Sequence, residues 1–246
     1  MTYQPCFTEG EDRPGRWLVT CDHAANTVPT RICGGSLGLP DRDMNRHIAY
    51  DVGAAGVASE LGRLLDSPVV RSNFSRLVID PNRGEDDPTL VMKLYDGSIV
   101  PANRHATPDE IERRKALCYR PYHRTVERLA ARRDDTVILA MHSFTPQFAH
   151  RPPRPWHVAV LYAADDRLAR PVLARLNAQG DLCVGDNQPY SGHLPGDSID
   201  RHALKHGRLN VLVEIRNDLI GGPEDQLAWA RRLAPLLDAA LADAQP

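Results

Sequence analysis

Short runs rich in Val, Ile and Leu, most of them separated by stretches of helical periodicity, restrict this chain more than any other feature. Strands that return through helices build a mainly parallel sheet covered on both faces. The apolar runs predict strands over residues 17–21, 68–71, 76–80, 136–141, 157–162, 182–184 and 209–215. Helices are predicted over 45–65, 108–133, 167–179 and 223–242, the second and fourth opening with Pro in the first turn. The expected fold class is α/β: a single domain over 1–246 with a mainly parallel or mixed sheet flanked by helices. Four long Pro- and Gly-rich loops, 29–43, 81–104, 144–155 and 185–197, are left between the elements. Ordered loops of that length ordinarily build a site.

Thirty basic residues against thirty-two acidic ones leave a formal charge of -2. No long-range positive field is available for nucleic acid, and none is expected as a partner. The five cysteines are odd in number and form no C-x-x-C pair, which speaks for reduced thiols over a disulfide frame or a cysteine zinc cage. No apolar stretch is as long as a membrane span, and the N-terminus has no basic segment leading into an apolar run, so a cytoplasmic location is expected.

In an open parallel sheet, ligands bind beyond the carboxyl ends of the strands. Those ends are polar here. The first run stops at Asp22-His23-Ala-Ala-Asn26, the third at Asp80-Pro-Asn82-Arg83, the fourth at His142-Ser143, and the last runs into Glu214-Ile-Arg216. His23 and His142 are natural zinc ligands, since a catalytic zinc takes about three protein ligands and leaves a position for water. Glu214, late in an apolar strand, is suited to move a proton between that water and a leaving nitrogen. Each residue also has a structural reading. A lone strand-end His is ordinarily hydrogen-bonded scaffold, and Asp80, Asn82 and Arg83 can form a turn. Arg83 also offers the bidentate fork that suits a carboxylate.

Gly34-Gly-Ser36-Leu-Gly38 matches the G-x-S-x-G nucleophile elbow in letters only. That elbow must follow a strand and open a helix, and no strand precedes this segment, so it reads as a turn. Cys118 lies in a charged helix and reads as a packed thiol.

The blocks 18–29, 43–56, 75–83, 119–123, 142–146, 154–158, 185–192 and 214–220 together resemble the N-formylglutamate amidohydrolase family. That family is similar in fold to phosphorylase/hydrolase-like proteins of the zinc carboxypeptidase type. The resemblance implies a metal-dependent chemistry, with zinc as the expected ion, in which an activated water cleaves the amide of N-formylglutamate or a related N-acyl amino acid. It implies that His23 and His142 hold the metal, that Asn82 and Arg83 clamp the substrate carboxylate, that Arg76 polarises the scissile carbonyl, and that Glu214 is the general base. Asn26 stands where the family's pattern has a Glu ligand, and an amide oxygen is a poorer zinc ligand than a carboxylate. Either Asp22 or an extra water then completes the site, or the chain binds metal weakly, and a catalytically silent ligand-binding protein is the alternative. The loop with Asp186, Asn187 and Tyr190 reads as a substrate-contacting flap or a structural loop. Arg104, Arg154, Arg201 and Arg216 are the candidates for reading a substrate side-chain carboxylate.

Overall fold

The computed structural model describes residues 3–192 and 194–244, so Met1, Thr2, His193, Gln245 and Pro246 lie outside the described residues. Among the described residues nine strands form in chain order: β1 (Cys6–Glu9), β2 (Trp17–Cys21), β3 (Val69–Ser72), β4 (Leu94–Tyr95), β5 (Ser98–Ile99), β6 (Val137–Phe144), β7 (Val158–Leu161), β8 (Val184–Asp186) and β9 (Asn210–Arg216). The helices are α1 (Asp41–Met44), α2 (Ala54–Leu64), α3 (Pro108–Arg114), α4 (Arg120–Ala130), α5 (Ala169–Asn177), α6 (Ser198–His202) and α7 (Pro223–Asp243). Seven strands make one sheet in the order β1-β3-β2-β6-β9-β7-β8, and β4 and β5 form a separate hairpin.

The sheet is mixed. Strands β3, β2, β6 and β9 run parallel, while β1 pairs antiparallel with β3 and β7 antiparallel with β9. Apolar side chains occupy both faces, which is why the strands read as continuous apolar runs with no polar alternation. Trp17, Val19 and Cys21 pack with Val57, Leu61, Leu233 and Leu237 of α2 and α7 on one face. Leu18, Val70 and Ile138 pack with Tyr122 and Val126 of α4 on the other. Among the described residues, no helix is long and apolar enough to cross a membrane.

Three sequence expectations change. Residues 76–80 form no strand, although Leu77, Val78 and Ile79 are fully buried. The backbone there is satisfied by side chains: Asn103 Nδ2 donates to the Leu77 carbonyl and Arg114 Nη1 to that of Val78. An apolar run buried by loops has the same composition as one buried in a sheet. The helix predicted over 45–65 begins only at Ala54, because Gly53 takes a left-handed φ of 82° at its N-cap. The helix predicted over 108–133 holds, with Thr107 Oγ1 capping Glu110 N, but its middle, Lys115–Tyr119, widens into a π-helical turn. Strand β1, the β4–β5 hairpin, α1 and α6 are additions.

Gly53 admits no side chain. A Cβ there would run into the Ile220 carbonyl oxygen, and left-handed backbone costs an ordinary residue about 1–2 kcal/mol by itself. Gly53→Ala should therefore lower stability by about 2 kcal/mol or more in urea denaturation, whereas Gly97→Ala, which has open space around it and a similar positive φ, should show the backbone cost alone.

Candidate active site

The parallel strands end on one rim, and the loops gather over it. A cavity of about 270 Å³ opens there, lined by His23, His47, Asp51, Arg76, Asn82, Arg83, Tyr95 and His142 on one side. Phe144, Leu161, Tyr190, Leu194, Asp197, Leu212 and Glu214 complete the wall. Register explains the core of the site. His142 in β6 lies directly opposite Glu214 in β9, so both project to the same face, and Glu214 has Ala159 of β7 on its other side. His23 follows β2, the neighbour of β6, and its ring centroid stands 5.0 Å from that of His142.

Asp51 joins the two imidazoles. Its Oδ2 lies 2.8 Å from His142 Nδ1 and 3.4 Å from His23 Nδ1, and it accepts from Ser143 N at 3.2 Å. Asp80 braces the other side of His23, with Oδ1 2.7 Å from Nε2, while its Oδ2 accepts from Arg76 Nε and Nη2 at 3.2 and 2.8 Å. Burial opposes ionisation of both carboxyls. The imidazoles at Asp51, and Arg76 with His23 at Asp80, outweigh it and hold both well below the usual range. The same pairing overcomes the burial of His142 and raises it to about 9 through Asp51. Glu214 has no such partner, and burial pushes its carboxyl up to about 7 against the pull of His142.

His23, Asp51 and His142 each offer a ligand atom within 4.8 Å of the others, so together they can hold a metal ion. Two imidazoles and a carboxylate suit zinc, and the buried His142 Nε2 has no hydrogen-bond partner in the chain. The donor set fits such an ion. The expectation for Asn26 changes: its Nδ2 donates to the Met44 carbonyl and to Asn45 Oδ1, and it lines a separate hollow with Val28 and Ser36. Asp51, absent from the strand-end reading because it precedes a helix, brings the carboxylate.

Arg76, Asn82, Arg83 and Tyr190 line the cavity with the two histidines and Glu214, as their sequence positions suggested. Asp186 and Asn187 do not. Exposed Asp186 accepts from Tyr162 Oη at 2.7 Å, and Asn187 Oδ1 accepts from Tyr162 N and Gly192 N, which shapes the loop that carries Tyr190. Ser36 is exposed and its Oγ accepts from Gly38 N, in keeping with a turn. Cys118 is a buried thiol.

Sequence reasoning gave no role to the 119–123 block, and the structure puts it under the site. The π-helical turn at Lys115–Tyr119 widens the helix just before these residues, as such turns often do at functional sites. Tyr122 donates to Asp22 Oδ1, Tyr119 donates to the Arg83 carbonyl at 2.6 Å, and His123 Nδ1 meets His202 Nε2 of α6 at 2.9 Å. In turn α6 is tied to the Asn82 loop, with Ser198 N donating to Asn82 Oδ1. The aromatic spacing in Tyr119-Arg-Pro-Tyr-His123 was the available signal.

A family model for N-formylglutamate amidohydrolase matches residues 15–221. A crystal structure of a gene product from Agrobacterium tumefaciens is similar at 33% identity and a TM-score of 0.91, over 98% of this chain and 96% of that one. A crystal structure of N-formylglutamate amidohydrolase from Ralstonia eutropha is similar in fold at 21% identity and a TM-score of 0.68, over 97% of both chains. A bacteriophage poly-gamma-glutamate hydrolase shares the fold more distantly, at 11% identity and a TM-score of 0.51, over 98% and 92%. No curated protein matches the chain.

The His123–His202 pair makes an acid-stability prediction. Burial, reinforced by nearby cations, holds His123 well below its usual range and His202 at about 3. Free imidazoles titrate near pH 6.5, so below that the unfolded chain takes up protons that the folded pair refuses, and stability is lost as pH falls. Glu214 and Asp197, raised by burial, act in the opposite sense, so the comparison must be with a variant. The loss of unfolding free energy between pH 7 and pH 5 should be about 2 kcal/mol smaller in His202→Gln than in the unaltered chain.

Proposed function

The chain belongs to the N-formylglutamate amidohydrolase family, and from that premise we propose that it is a metal-dependent hydrolase that cleaves the amide of N-formylglutamate or a related N-acyl amino acid with an activated water. The observation that carries this reading is the register of His142 against Glu214, which sets a high-pKa carboxyl beside the His23–Asp51–His142 cluster in one cavity. Zinc is the proposed ion. Bound by His23, Asp51 and His142, it supplies Lewis acidity toward water and the scissile carbonyl.

The chain's own groups do the rest. Glu214, with its carboxyl near pH 7, is matched to accept the proton of the attacking water and hand it to the leaving nitrogen. Arg83 and Asn82 hold the substrate carboxylate at the rim, and Tyr119 and α6 keep that loop in place from beneath. Arg76 keeps Asp80 ionised, and its Nη1, 3.6 Å from Asp51, is the donor able to turn toward a developing oxyanion. Tyr190, Ser191 and Gly192 border the cavity and limit the access of bulk water. The proposed partner is thus a small molecule in a soluble cytoplasmic enzyme acting on a linear, non-peptide amide.

Two measurements test this reading. Glu214→Gln should retain the metal content and lower kcat by about 100- to 10,000-fold, the usual cost of a lost general base; near-normal turnover would remove Glu214 from the mechanism. Metal analysis of protein purified without chelator should give one zinc per chain, abolished in His142→Ala and in Asp51→Asn but kept in Asn26→Ala. Equal metal content in all four proteins would displace the ion from this cluster.

A further inference from the structure

The cavity is sorted into two halves across the sheet. Its β2 side is ionic, with His23, Asp51, Arg76, Asn82 and Arg83. Its β7 side is apolar. Leu161 of β7 and Leu212 of β9 face each other in register, Phe144 follows His142 by two residues on the same face of β6, and Leu194 and Tyr190 line the same cavity. Leu161, Leu212 and Phe144 are all buried members of one apolar cluster. Glu214 stands on the seam, with His142 to one side and Ala159 to the other.

The cations are as unevenly distributed. Among the described residues, two guanidinium groups line the cavity, and Arg76 is committed to Asp80 and faces Asp51. Arg83 donates through Nε to Thr89 and through Nη1 to the Asn82 carbonyl, which leaves Nη2 for a ligand. None of the four arginines expected to read a second carboxylate lines the cavity. Arg154 is stacked on Phe148 at 4.0 Å and on Tyr190 at 4.9 Å, Arg216 pairs with Asp218, Arg201 donates to Tyr119, and Arg104 is exposed. Beyond the two arginines and the His23–Asp51–His142 cluster, the titratable groups lining the cavity are His47, kept neutral by burial with a pKa of about 4, Tyr95, Tyr190 and the carboxyls of Asp197 and Glu214.

We propose that this cavity takes an N-acyl amino acid with a single carboxylate and an apolar substituent beside the scissile amide, and that it disfavours the second carboxylate of N-formylglutamate. The inference rests on reading the cavity as an N-acyl amino acid site. Arg83 serves the α-carboxylate common to all such molecules, and a γ-carboxylate would lose its water against Leu161, Leu212 and Phe144 with acidic groups as neighbours. An aliphatic group in the same place gains roughly fourfold in affinity for each methylene it buries. That group is either the amino-acid side chain or the acyl chain, since both flank the amide.

The test is a comparison of kcat/KM in the zinc-loaded protein for N-formylleucine, N-formylglutamate, N-formylglycine and N-hexanoylglycine. At least a tenfold preference for N-formylleucine over N-formylglutamate assigns the apolar half to the side chain, and the same preference for N-hexanoylglycine over N-formylglycine assigns it to the acyl chain. N-formylglutamate turned over at least as well as the two apolar compounds overturns the proposal. Calorimetric binding of N-formylleucine, N-hexanoylglycine and N-formylglutamate to Glu214→Gln reads recognition without turnover. Tighter binding of either apolar compound than of N-formylglutamate, with no hydrolysis of any compound by the unaltered protein, would sustain the recognition and overturn the hydrolase reading. Tightest binding of N-formylglutamate would overturn the recognition whether or not the protein is a hydrolase.

Discussion

Asp51 is the buried charge on which the cavity depends. One carboxylate reaches the imidazole of His142, the imidazole of His23, the backbone of Ser143 and the guanidinium of Arg76, which come from three separate stretches of chain. Taking a carboxylate out of water costs several kcal/mol, and partners repay that cost only when their geometry is good. Here every partner is itself anchored: the histidines by strand ends, Arg76 by Asp80, and Asp51 by the left-handed turn at Gly53 that starts α2. The arrangement is worth little as bulk stabilisation. Its effect is to make one side-chain geometry far better than its alternatives, which is what a metal site or a catalytic site requires.

The ionic half of the cavity is also held from below. A helix with uniform turns would keep Tyr119, Tyr122 and His123 on one continuous stripe with the residues before them. The wider turn over Lys115–Tyr119 resets that stripe, so Ile111 and Leu117 pack at the edge of the core while the three rings reach Arg83, Asp22 and α6. The polar network of the site therefore continues through buried tyrosine and histidine into the helical layer. Tyr119, Tyr122 and the His123–His202 pair each find a hydrogen-bond partner there, while Asp22 Oδ2 and His123 Nε2 are buried without one among the described residues.

The antiparallel insertion of β7 beside β9 has the opposite effect on the other half. It brings Ala159 and Leu161 against Glu214 and Leu212, so the carboxyl of Glu214 sits at the boundary between paired charges and aliphatic wall. That boundary position is the physical source of its raised pKa. A carboxylate one strand nearer β2 would be ionised by the same imidazoles and cations that hold Asp51 and Asp80 low.

The sequence by itself determined the layered α/β order, because strands buried on both faces must be apolar throughout and helices must carry a periodic stripe; residues 17–21 and the helix from Pro223 follow directly from those patterns. It also put His23, His142 and Glu214 at or near the carboxyl ends of apolar runs, which parallel strands bring to one rim, whereas Arg83 reaches the same cavity from a loop. Composition could not separate residues 76–80 from a strand, because full burial selects the same side chains in a loop whose backbone is satisfied by Asn103 and Arg114. Nor could it find Asp51, which stands before a helix and acquires its role only when Gly53 turns the chain back onto β6. The placement of Asn26 in a separate hollow and the sorting of the cavity into ionic and apolar halves belong to the tertiary structure alone. Both depend on which strands become neighbours and in which direction they run, and those are set by packing between segments far apart in the chain, for which no local pattern carries a record.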